Sequence, residues 1–198
     1  MTNLSILTLD VGTSSVRTLI FDDAGRQVPG LGSQLPYQVT ATADGGVEMD
    51  ADELTALAIR SLTEIHGQIS ESGQRIHAFA CATFWHNVLG VDSDGRPTTA
   101  ILHVFDTRSA GAAKRLGGRV DADGQHARTG CVLHPSYLPA KLLWLSESQP
   151  DQFRATRRWM SFGEYLFLKL FGRAVASTSM VSGSGLCSER METAKPIF

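Results

Sequence analysis

The sequence predicts an α/β domain in which a mixed sheet is flanked by helices. Short apolar, β-prone runs alternate with helical patterns along the whole chain, and a tight polar turn joins the first two runs. The order β-β-β-α-β-β-α also places three strands before the first helix, which a doubly wound, all-parallel sheet would not do.

Residues 4–9 and 16–21 are the first two runs, and Asp10-Val11-Gly12-Thr13-Ser14-Ser15 between them reads as the tip of a hairpin. Asp22-Asp23-Ala24-Gly25 is a second turn signal that leads to a third extended segment before Asp44-Gly45-Gly46, so the chain opens as a meander. Asp50 followed by Glu53 has the form of a capping box. Leu54, Leu57, Ala58, Leu62, Ile65 and Ile69 then recur on one helical face. Residues 75–83 and 87–91 read as strands, 92–95 as a turn, 101–105 as a further apolar run and 107–116 as a helix. After a Gly- and Asp-rich stretch at 117–124, the pattern gives a helix over 138–147, a short strand at 157–160 and a helix over 162–171. No internal repeat, low-complexity segment or linker divides the chain, and one domain over 1–198 is expected.

Composition narrows the function classes. With 42% apolar and 19% charged residues in 198, the chain can bury a core without disulfides and has neither a disordered nor a fibrous character. A formal charge of −2 with no long basic run leaves no electrostatic footprint for nucleic acid, so the expected partner is a small molecule. Cys81, Cys131 and Cys187 have no CxxC or metal-ligand spacing and read as structural thiols of a reducing compartment. The first residues carry no basic n-region and the first apolar run stops at Asp10, which gives neither a leader nor a membrane span, and a cytoplasmic location is expected.

The chemistry concentrates in Asp10-Val11-Gly12-Thr13-Ser14-Ser15-Val16-Arg17. Gly12 permits close backbone approach, and the N–H groups and hydroxyls of Thr13, Ser14 and Ser15 can donate to phosphate oxygens. Asp10 can hold Mg²⁺ directly or through water, and Arg17 can offset charge on a transferring phosphoryl group. Phosphoryl transfer asks a protein chiefly for such positioning and charge stabilisation. The string is neither a GxxxxGK[ST] loop nor a GxGxxG turn.

This string resembles the first phosphate-binding motif of the FGGY family of carbohydrate kinases, members of the actin-like ATPase superfamily with a ribonuclease-H-like core. Gly46-Val47-Glu48-Met49-Asp50 is similar to the family's segment before its first long helix. Phe84-Trp85-His86-Asn87-Val88-Leu89-Gly90-Val91-Asp92 resembles its sugar-site strand, with Trp85 bulkier than the small or Met side chains expected there. Val104-Phe105-Asp106-Thr107-Arg108-Ser109 resembles its Trp-x-Asp-x-Arg segment. Thr129-Gly130-Cys131-Val132-Leu133-His134-Pro135 and Lys141-Leu142-Leu143-Trp144-Leu145 are similar to stretches of gluconate and xylulose kinases.

The resemblance implies ATP and Mg²⁺ as cofactors, and a small sugar or sugar acid as the partner that receives the phosphoryl group. Gluconate comes first, on the His134-Pro135 region and the Leu89-Gly90-Val91-Asp92 wording, and xylulose second. It places Trp85, His86, Asp106 and Arg108 together as sugar contacts, a mixture of polar groups for hydroxyls and an aromatic face for C–H bonds. Arg108 would face the carboxylate of a sugar acid, and His134 and Tyr137 are candidates for the same cleft. Lys141, Trp144 and Arg154 read as helix-surface or packing residues. In the family a second domain supplies the adenosine pocket and the general-base aspartate. Residues 191–198 end this chain before either, so the isolated chain is expected to be inactive. A chain without that domain would expose the surface that meets it, which predicts self-association into a homodimer. The alternative is a non-catalytic sugar-binding or regulatory remnant of such a kinase.

Overall fold

The computed structural model describes residues 4–187; residues 1–3 and 188–198, among them the chain's closing segment 191–198, lie outside them. In chain order the elements are β1 (Ile6–Val11), β2 (Ser15–Phe21), β3 (Gln27–Pro36), β4 (Thr40–Ala41), β5 (Val47–Met49), α1 (Ala51–Ser72), β6 (Ala78–Thr83), β7 (Leu89–Val91) and β8 (Ile101–Leu102). There follow α2 (Ala110–Gly117), α3 (Ala122–Thr129), α4 (Leu138–Ser148), α5 (Pro150–Ala155), β9 (Arg158–Met160), α6 (Phe162–Phe171) and α7 (Thr178–Ser182). They form two compact units, the first from Met1–Val39 and Asp52–Phe84, the second from Thr40–Ala51 and Trp85–Phe198.

In the first unit a four-stranded sheet has the order β3-β2-β1-β6. The opening meander is antiparallel, from Ile6↔Phe21 to Val11↔Val16 across β1 and β2, and β6 joins β1 in parallel from Ile6↔Ala78 to Val11↔Thr83. Alternation buries Leu9, Val11, Val16 and Ile20, and α1 buries Leu54, Ala58 and Ile65 at helical spacing. The helix begins directly after Asp50, as the sequence pattern requires. Polar groups on α1 reach the sheet as well: Ser61 shares a hydrogen bond with Thr18, and Glu64 accepts one from Ser33 Oγ at 2.6 Å. The β2–β3 register shifts between Leu19 and Phe21. There the Gln68 amide accepts from the Gly32 N–H (2.8 Å) and donates to its carbonyl (3.0 Å), a substitute for a backbone partner.

In the second unit β4-β5-β8 and β7-β9 are short antiparallel sheets, and a bridge between Val88 and Leu102 links β7 to β8. Val88, Leu102 and Leu145 are the centre of its core, with Leu138, Leu142, Trp144, Phe153 and Trp159 packed around them. The Gly- and Asp-rich stretch, to which the pattern assigns no element, runs into α3. Its turn residues serve that helix: Asp121 stands at the N-cap, Gly124 lies where a Cβ would meet the Asp121 carboxylate, and Gly130 closes the helix at φ 66°. α6 begins with a complete capping box, Ser161 Oγ accepting from the Glu164 N–H and Glu164 Oε2 accepting from the Ser161 N–H. Ser161→Ala is expected to cost about 1 kcal/mol in urea denaturation. Among the described residues no helix is long and apolar enough to cross a membrane.

Candidate functional site

Asp10, Gly12, Thr13, Ser14, Ser15 and Arg17 all fall on the β1–β2 hairpin of the first unit, Gly12, Thr13 and Ser14 at its turn and the others on its strands. The turn closes through the Gly12 N–H, which donates to the Ser15 carbonyl at 3.0 Å. Thr13 and Ser14 face solvent, whereas Ser15 is buried, so the three hydroxyls are not equivalent. Asp10 and Arg17 are partners across the ladder and share a sheet face, Asp10 half-buried and Arg17 exposed. A Cβ on Gly12 would approach the Ser15 carbonyl only to 3.5 Å, an ordinary contact. The turn itself therefore does not demand glycine, and the open space above it suits a ligand that comes close to the backbone.

One residue absent from the sequence argument secures this turn. Tyr37 donates its hydroxyl proton to the Gly12 carbonyl and its N–H to the Ser14 carbonyl at 3.0 Å. Burial, and then the nearby charge of Asp10, push the phenol up to about 12, so it stays a donor throughout the physiological range. No local pattern announces a contact across 25 residues. Tyr37→Phe is expected to lower the stability of the first unit by about 1–2 kcal/mol by orphaning the Gly12 carbonyl, measurable by urea denaturation.

In the second unit Trp85 and His86 stand at a cleft of about 160 Å³ whose wall includes Trp159, Ser161, Glu164 and Met180. The two rings stack with centroids 4.9 Å apart, Tyr137 meets His86 edge-on at 4.7 Å, and the Trp85 indole N–H points to the Met180 carbonyl at 3.4 Å. Gly183 is required here, since a Cβ would lie 2.1 Å from the Trp85 ring. His86 is the one non-glycine residue with positive φ (56°) among the described residues, and its buried Nδ1 has no hydrogen-bond partner there. Burial first, then the charge of Lys141, hold its pKa below the ordinary value, which leaves a neutral imidazole. His134 and Tyr137 line a separate small pocket beside Cys131 and Pro139. Trp159, Ser161 and Glu164 carry no recognisable sequence signal, because their strand and cap roles account for their pattern.

Asp106 and Arg108 form a closed ion network. Asp106, 2% exposed, accepts from the Val47 N–H (3.1 Å), the Arg108 N–H (3.1 Å) and the guanidinium (2.6 Å to Nη2). The guanidinium also pairs with Glu48 at 2.5 Å and lies 4.5 Å over the Trp144 ring. Burial works against its charge, yet Asp106 and Glu48 hold its pKa above the ordinary value. Neither residue lines the Trp85–His86 cleft.

Lys141 departs from expectation. The sequence places it on a helix surface or among packing residues with its charge solvated, whereas it is fully buried, and its ammonium donates to the carbonyls of His86 (2.6 Å), His103 (2.8 Å) and Leu102 (3.4 Å). Arg154 is exposed and pairs with Asp151, and Trp144 packs against the core as expected.

A model of the FGGY family of carbohydrate kinases, N-terminal domain, matches residues 5–190. The chain is 27% identical over 183 residues to a gluconokinase from Bacillus licheniformis, covering 91% of this chain and 34% of that one. It is 30% identical over 185 residues to a xylulose kinase from Streptomyces rubiginosus, covering 91% and 36%. The chain thus spans about a third of the length of the curated relatives it matches. A crystal structure of xylulose kinase from Rhodospirillum rubrum superposes with a TM-score of 0.90 at 21% identity, over 96% of this chain and 39% of that one, a likeness of fold.

Proposed function

The chain belongs to the FGGY family of carbohydrate kinases and has its actin-like ATPase fold, and on that premise we propose that it contributes the phosphate turn and the sugar cleft of a cytoplasmic enzyme that phosphorylates a small sugar with ATP. The observation that carries this reading is the His86 imidazole stacked on Trp85 at a cleft whose wall also includes Ser161 and Glu164. Aromatic faces cover the C–H side of a sugar, while His86 and Glu164 can reach its hydroxyls. Asp106 and Arg108 serve this site indirectly, by fixing the segment between β8 and α2.

In the first unit, the Thr13 and Ser14 hydroxyls and the backbone above Gly12 would receive nucleotide phosphates, and Arg17 would offset their charge. Asp10 is a single carboxylate, and the described residues hold no cluster of three metal-ligating side chains. That donor set fits Mg²⁺ as an ion shared with the nucleotide's phosphates and waters, where it would neutralise charge on the transferring group. The general base and the adenosine pocket would come from the part of a full-length kinase that this chain does not span.

Charge bears on the substrate. Among the described residues the cleft wall includes Glu164 and no lysine or arginine, and Arg108, the cation the sequence offers to a sugar acid, is committed to Glu48 and Asp106. A neutral ketose such as xylulose fits this pattern better than gluconate. Calorimetric titration with xylulose, ribulose, gluconate and glycerol, beside a His86→Ala control, tests the proposal. Saturable binding of a ketose, weakened about tenfold or more in the control, is expected; binding that His86→Ala leaves unchanged would place the sugar elsewhere.

A further inference from the structure

We propose that Lys141 is a positioning residue for the sugar site: its ammonium pins the His86 carbonyl and so holds the His86 backbone in the left-handed region that turns the imidazole towards Trp85 and the cleft. The functional consequence rests on the sugar-site reading above, whereas the link between Lys141 and His86 stands without it.

A side chain with a Cβ adopts φ 56° only where its surroundings hold it there, and two hydrogen bonds hold the chain at and just after His86. Its own carbonyl is fixed by Lys141 Nζ at 2.6 Å, and the following residue, Asn87, accepts the Phe162 N–H at 2.6 Å. The same ammonium ties His86 to the end of β8 through the carbonyls of His103 (2.8 Å) and Leu102 (3.4 Å). Three donors meet three backbone acceptors, the arrangement that lets a lysine be wholly buried without a directly bonded carboxylate. The charged groups that face it are Asp106 and Arg108; burial lowers its pKa to about 7, with the Asp106 carboxylate acting against that shift and Arg108 adding to it. Around His86 stand Lys141, His134, Tyr137 and Trp85.

Lys141→Met keeps the apolar stem and removes both the donors and the charge. An NMR titration of the histidine rings, with the His86 signal assigned by its loss in His86→Gln, should show the His86 midpoint rising towards the ordinary value in Lys141→Met. Affinity for whichever sugar the unaltered chain binds should fall about tenfold. A folded Lys141→Met variant with an unchanged His86 midpoint overturns the proposal. If the unaltered chain binds no sugar, the functional reading fails alone and the titration still decides the Lys141–His86 link. If Lys141→Met does not fold, the His86→Gly, Lys141→Met double variant decides: glycine takes this φ without strain, so recovery of the fold supports the proposal and its absence overturns it.

Discussion

Asp106→Ala should destabilise the second unit by about 3–5 kcal/mol, the cost of breaking a buried ion pair from one side. The substitution leaves the Arg108 guanidinium, whose side chain is 8% exposed, with Glu48 as its remaining counter-charge, and it orphans the Val47 N–H. Glu48 is itself more exposed, at 27% for its side chain, and cannot replace two carboxylate oxygens that take four donors. A domain is typically stable by only about 5–15 kcal/mol, so the loss is a large share of the total. Removing both charges, in Asp106→Ala, Arg108→Met, should cost less than the sum of the single changes, because no unpaired ion is then buried. Urea denaturation of the three variants measures this. Additive single effects, or a loss below about 1 kcal/mol, would make the network equivalent to a surface pair.

Acid should weaken the same unit through His103. The ring is fully buried beside Phe105, at 4.9 Å between centroids, and burial, reinforced by Lys141 and opposed by Asp106, brings its pKa down to about 4 from 6.5. Below pH 6.5 the unfolded chain therefore takes up a proton that the folded chain refuses until about pH 4. The unfolded state binds more protons in that window, so stability is full above it and falls as the pH drops. Over the whole window the loss is roughly 3 kcal/mol. Denaturation curves across this range should show an acid limb that is shallower by one proton in His103→Gln. Identical slopes in the two proteins would mean that the folded state accepts the proton on His103.

The sequence revealed those parts whose cause is local. The hairpin and α1 followed from alternation, from a turn of Asp, Gly and hydroxyl residues, and from the spacing between Leu54 and Ile65. α3 was hidden because it is short and polar, and because Asp121 and Gly124 belong equally to loops and to caps. Lys141 did leave a signal. It lies three residues after Leu138 and four before Leu145, on the stripe that faces the core, but a charge on such a stripe is ordinarily read as solvated, and the three carbonyls that accept it come from distant segments. The same holds for Tyr37 on the β1–β2 turn and for Glu48 paired with Arg108. Their local sequence fixes a strand or a loop, and only the tertiary contact gives the side chain its task.

The division into two units also distributes the chain's chromophores unevenly. Trp85, Trp144 and Trp159 all belong to the second unit, and the first contains no tryptophan and Tyr37 as its only tyrosine. Indole fluorescence is consequently blind to the half that carries the β1–β2 hairpin, whereas far-ultraviolet circular dichroism sees both halves. If the two signals melt with one midpoint, the chain unfolds as a single cooperative body; if they separate, the emission curve gives the stability of the second unit by itself.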